Sequence, residues 1–124
     1  MFVVTFLNAR HNKEFEKKTR KVNRENYKLL SAVYLLTADY KLLKVSYRQI
    51  RNNKIIFKNI KSRNLSDKGY TLLCAAKDLF YGTKYISVSD LCNKFLMPPK
   101  MVNLICNAII IKRSGLNEII KGGE

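Results

Sequence analysis

Eight cations stand between Lys41 and Arg63, namely Lys41, Lys44, Arg48, Arg51, Lys54, Lys58, Lys61 and Arg63, and no acid intervenes. The first four are spaced 3, 4 and 3 apart, the spacing that puts side chains on one face of a helix. A helix that needs only solubility mixes acids into such a row to make i,i+4 pairs. The chemistry open to an unmixed row is electrostatic: holding the phosphates of an anionic polymer and releasing their counterions.

Two further groups are secondary candidates. Lys17, Lys18, Arg20 and Lys21 cluster beyond Glu14 and Glu16, as a phosphate-contacting arm or as the solvated face of a helix. Near the C-terminus Lys100, Asn103 and Asn107 share an outward polar stripe, and Lys112 and Arg113 end the same helix.

The charge of the whole chain agrees with the first row. Its 124 residues hold 24 Lys and Arg against 9 Asp and Glu, a net +15. Residues 1–66 carry 16 basic and 4 acidic side chains, a net +12, and residues 67–124 carry 8 and 5, a net +3. A small body with that imbalance repels itself unless something anionic is near. Nucleic acid is the usual partner, an anionic membrane surface or an acidic protein the next.

Other chemistry is poorly supplied. The lone histidine, His11, has no Ser or Cys nucleophile beside it, and the five glycines fall in no phosphate-loop spacing. Glu25 with Asp39-Tyr40-Lys41 has the acid–acid-x-lysine spacing of some nucleases, but between two helices rather than on a strand hairpin. Cys74, Cys92 and Cys106 are odd in number, lack a CxxC pair and sit among apolar neighbours, which predicts small buried hydrophobes and no metal site. A non-enzymatic protein without cofactor is the expectation. The longest uncharged apolar run, Met101 to Ile111, falls short of the roughly 20 residues a membrane span requires. With no signal-peptide pattern at the start, a cytoplasmic protein that avoids membranes is expected.

The elements that must carry these residues follow from periodicity and punctuation. Phe2 to Leu7 predicts a short strand, and Asn8 caps a helix over Ala9–Lys21. Asn23 opens a largely buried helix with Tyr27, Leu30, Tyr34 and Leu35 on its stripe. After a break at Asp39-Tyr40, a helix over Lys41–Arg51 holds the four stacked cations. Asn52-Asn53 turns the chain into a strand over Lys54–Ile60, and Ser66-Asp67 caps a helix ending at Gly82. Tyr85 to Val88 predicts a short strand meeting the earlier one. Ser89 then caps a helix over Asp90–Phe95. Pro98-Pro99 stops it and starts another that ends near Ser114-Gly115.

Together these predict a mainly α (α+β) fold: a compact bundle of about five helices with a small two- or three-stranded β element. Residues 1–114 form a single domain, with 115–124 as a frayed C-terminal tail. The hairpin over 89–112 has the layout of a helix-turn-helix unit and either reads DNA or closes the core. Of the aromatics, Tyr27, Tyr34, Tyr47, Tyr70, Phe80 and Phe95 fall at core spacing, while Tyr40, Tyr81 and Tyr85 are free to be exposed.

Several stretches are similar to a group of small uncharacterised prophage and mobile-element proteins of low-GC Gram-positive bacteria. They are Phe6-Leu7-Asn8 with His11, Tyr34-Leu35-Leu36-Thr37-Ala38-Asp39, Gly69-Tyr70-Thr71-Leu72 and Ala75-Ala76-Lys77-Asp78-Leu79-Phe80. These are packing motifs and transfer no catalytic residues; the positive charge departs from the group. The resemblance implies a phage-type accessory protein, and the anti-CRISPR proteins are the class it suggests. The expected partner is nucleic acid or a nucleoprotein complex, including a Cas effector with its guide RNA. A DNA-reading transcription regulator and a protein inhibitor of an acidic partner are the alternatives.

Overall fold

Ser31 is as deeply buried as its leucine neighbours, which identifies the helix it lies on as the centre of the molecule. The computed structural model describes residues 4–116 and the backbone of residues 119–120. Within it α2 (Tyr27–Leu36) is buried at every position from Leu29 to Leu36. A helix apolar on all sides belongs in a core. Its hydroxyls bond back onto carbonyls one turn earlier, Ser31 to Lys28 and, just past the helix, Thr37 to Val33, so no polar group is stranded. Around α2 pack α1 (Ala9–Thr19), α4 (Asp67–Tyr81) and α6 (Pro99–Ser114). Two short helices, α3 (Tyr40–Ser46) and α5 (Val88–Cys92), complete the set. The chain is mainly helical, 63%, with a small two-stranded antiparallel sheet. No helix among the described residues is long and apolar enough to cross a membrane.

Several predicted boundaries hold. Asn8 accepts from the His11 amide to cap α1, Ser66 caps α4, Gly82 ends it at φ 80°, and α6 begins at Pro99. Others move for identifiable reasons. The Asn23 side chain accepts from the Glu25 amide at 2.9 Å, a local turn that delays α2 by three residues, and Asn26 becomes the cap. The helix predicted over Lys41–Arg51 ends at Ser46. A single 3-10 turn (Tyr47–Gln49) then leads into β2 (Ile50–Arg51), which pairs with β3 (Lys54–Ile55). Asn52 at φ 50° makes this hairpin, and Ile50 and Ile55 plug the core side by side. The strand predicted over Lys54–Ile60 stops at Ile55 because its partner runs out. A second 3-10 turn (Phe57–Asn59) then turns Phe57 and Ile60 inward.

The predicted strand at Tyr85–Val88 does not form. The Asp78 carboxylate accepts from the Tyr85 and Ile86 amides at 2.8 and 2.7 Å and from the Thr83 hydroxyl, taking the donors a strand would need. Ser87, not Ser89, caps α5, in a reciprocal box with Asp90.

At the chain ends β1 (Val4–Thr5) pairs in parallel with β4 (Ile119–Ile120), in the register Val4 with Ile119. Part of the tail predicted to fray is therefore strand. Phe2 and Val3 of the first predicted strand, and the tail residues 117–118 and 121–124, lie outside the described residues.

Candidate nucleic-acid interface

All eight cations from Lys41 to Arg63 are solvent-exposed. They do not stack on one helix. Lys41 and Lys44 lie on α3, Arg48 in the 3-10 turn, Arg51 on β2 and Lys54 on β3. Lys58 lies in the second 3-10 turn, with Lys61 and Arg63 on the loop into α4. Four of them nevertheless form a continuous run. Lys44 and Arg48 share the rim of a shallow cleft of about 390 Å³ with Tyr40, Tyr47 and Gln49. The Arg51 guanidinium donates through Nε to the Arg48 carbonyl at 3.1 Å, and Arg51 is the cross-strand partner of Lys54. No side-chain hydrogen bond among the described residues ties Lys58, Lys61 or Arg63 to that run.

The secondary group on α1 joins it from a distant part of the chain. Lys18 Nζ lies 3.4 Å from the centre of the Tyr47 ring and Lys17 Nζ 5.7 Å from it, close enough for cation–π attraction. A few residues on, the Asn23 amide donates to Asn53 Oδ1 at the hairpin turn, at 3.3 Å. Arg20 and Lys21, both exposed, lie between these two anchor points. Partial burial and then the charge of Lys17 lower the Lys18 pKa from its ordinary value, with Glu14 opposing them weakly. Like charges are thus held together here without full compensation.

Two of the acids nearby, Asp39 and Glu16, have partners of their own. Asp39 caps α3, accepting from the Leu42 amide at 3.0 Å, which leaves the acid–acid-x-lysine spacing without a free Asp39 carboxylate. Glu16 meets Arg24 at 4.0 Å, both about half exposed, in the one ion pair among the described residues.

The stripe on α6 comes apart. Lys100 and Asn103 are exposed, as are Lys112 and Arg113 in the last turn. Asn107 instead donates to the Thr5 carbonyl at 3.1 Å and to the Tyr34 hydroxyl at 3.0 Å. It ties β1 to α2 and is a structural residue. Tyr70, Cys92, Phe95 and Cys106, predicted for the core, are exposed. Phe95 is the extreme, because α5 is only five residues long and does not reach it. The Asn93 side chain accepts from the Phe95 and Leu96 amides at 3.0 and 3.3 Å in a tight turn outside the helix. Tyr40, Tyr81 and Tyr85 are exposed at 57% or more.

His11 is wholly buried, and both its ring nitrogens are used. Nδ1 accepts from the Leu7 amide at 3.0 Å, so Nε2 carries the proton and donates to the Tyr34 carbonyl at 2.7 Å. Burial, only partly offset by that carbonyl, pushes its pKa down to about 4. The Tyr34 hydroxyl donates to the Thr5 carbonyl, and burial pushes its pKa up to about 12. Phe6 packs on both rings and Phe15 on the Tyr34 ring. This network joins β1, α1, α2 and α6.

Comparison with known protein families, with curated proteins and with solved structures gives no match to this chain.

Proposed function

We propose that this chain is a non-catalytic cytoplasmic protein that docks its cationic face onto the phosphates of a nucleic acid, free or held in a nucleoprotein complex. The observation that carries the reading is the run Lys44, Arg48, Arg51 and Lys54, extended through Tyr47 to Lys17 and Lys18. Phosphate neutralisation needs a row of exposed cations, and no acid interrupts the chain between Lys41 and Arg63. Lys41, Lys58, Lys61 and Arg63 extend the positive field around the row. Its side chains offer charge rather than a fixed set of base-edge partners, so binding follows the backbone and not the sequence. With the phage-type resemblance, this surface suits an inhibitor that occupies the nucleic-acid channel or guide RNA of a CRISPR–Cas effector. Reading DNA through α6 has weaker support. Asn107 is engaged by β1, and the Asn93–Pro98 connection exceeds the roughly three- or four-residue turn of a helix-turn-helix unit.

The test is fluorescence anisotropy with a short labelled single-stranded oligonucleotide at low salt. Reversing Lys44, Arg48 and Arg51 together to Glu should weaken binding by roughly 100-fold or more. The circular dichroism spectrum should stay unchanged, since all three side chains are exposed. Undiminished affinity in a folded triple variant rejects the reading.

A further inference from the structure

The first turn of α4 and the connection from α5 to α6 enclose a cleft of about 910 Å³. Met101, almost fully buried, lies among its lining, and Pro98 and Pro99 form a stiff wall. At its edge Phe95 is 100% exposed, Leu96 54% and Tyr70 52%. Isolated exposed apolar residues are ordinary, but three large ones around one apolar cleft are the pattern of an interaction surface. They are also presented rigidly, because Asn93 holds the backbone of Phe95 and Leu96 in a turn. A preorganised anchor loses little freedom on binding.

The charges around the cleft indicate what would cover it. Lys68 and Lys100 line it from opposite elements, and Lys94 precedes Phe95 in the chain. One carboxylate, Asp67, lies in the lining. The other described acids of this half are engaged: Asp90 in the α5 capping box and Asp78 by the Thr83–Ile86 loop. A second copy of a chain carrying +15 would be repelled from such a rim. Unpaired bases would find Phe95 and Tyr70 to stack on. Leu96, Pro98, Pro99 and Met101 give such bases no ring to stack on, however, and Asp67 would face their phosphates. We infer that this cleft is a second binding site, distinct from the cationic run, and that it takes an acidic amphipathic helix of a protein partner. Apolar residues at helical spacing fill the cleft and carboxylates meet Lys68 and Lys100. The protein would thereby hold a nucleic acid on one face and a protein on another.

A random peptide display library, selected on the intact protein and counter-selected on a Phe95→Asp variant, tests this. Enriched peptides should carry apolar residues at i, i+3 or i+4, and i+7 with Asp or Glu between them. Their affinity should fall by roughly tenfold or more in Phe95→Asp and in Lys68→Glu/Lys100→Glu. It should be unchanged in the Lys44, Arg48 and Arg51 reversal, so failure here is separable from failure of the nucleic-acid reading. No enrichment, or enriched peptides without acids, overturns the inference. So does loss of oligonucleotide binding in Phe95→Asp, which would make the cleft a base-stacking site. Concentration-dependent dimerisation abolished by Phe95→Asp overturns it in favour of a second copy.

Discussion

His11 is the chain's one histidine, and its surroundings accept only the neutral ring. A proton added at Nδ1 would point at the Leu7 amide, which already donates there, and the charge would be buried. Its folded pKa of about 4 lies below the unfolded value of 6.5, so on acidification the unfolded chain binds the proton first. Stability is therefore fully present above about pH 6.5, is lost as pH falls toward 4, and stops falling on this account below that. The total loss is about 3 kcal/mol by the linkage relation. Urea midpoints measured across that window should fall steadily, and a His11→Phe variant that folds should show a flat profile there. A wild-type midpoint independent of pH would mean that the ring is not sealed as described. His11 also shows how far residue types inform: its isolation from any nucleophile was legible in the sequence, its burial was not. A polar segment such as Ala9–Lys21 gives no sign that one of its positions reaches under β1.

Glycines end two of the helices, and the elements around them assign them different roles. Gly82 closes α4 at φ 80° with nothing within 4 Å of where a Cβ would stand. Gly82→Ala should cost only the left-handed backbone penalty, about 1 kcal/mol. Gly115 closes α6 at φ 81° and ψ −167°, and a Cβ there would come within 2.7 Å of the Tyr27 ring on α2. That backbone region is essentially confined to glycine, so Gly115→Ala should cost about 3 kcal/mol or more. Denaturant titrations of the two variants compare them directly, and equal losses would contradict the close approach of α6 to α2. Caps and breakers were legible at this scale wherever the signal was local: Asn8, Ser66, Gly82 and Pro99. Boundaries moved wherever a side chain several residues away took the donors, as Asp78 does at Tyr85 and Ile86.

Across the whole molecule the cationic face joins segments with no periodic relation. Lys17 and Lys18 come from α1, Tyr47 and Arg48 from a 3-10 turn, Arg51 and Lys54 from a hairpin. An assembled face of this kind should behave as one site. The logarithm of its affinity for single-stranded nucleic acid should fall linearly with the logarithm of salt concentration, with a slope of about −0.7 per phosphate neutralised, roughly −4 for six contacts. Lys18→Ala should make that slope shallower by about one contact. Binding titrations over a salt series read both, and a slope near zero would exclude phosphate as the ligand.

The sequence by itself determined that the chain is mainly helical and that the helix through Leu29–Leu36 is largely buried, since a run apolar but for Ser31 has nowhere to go but the interior. It also determined that the first half carries unbalanced positive charge, because composition does not depend on conformation. Only the tertiary structure decided which cations are neighbours. It ended α3 at Ser46, brought Lys18 over Tyr47, and left Phe95 fully in solvent. The physical reason is that periodicity reports which face of an element is apolar. What lies across that face depends on long-range packing and on the few side chains, Asp78 and Asn93 here, that redirect the backbone between elements.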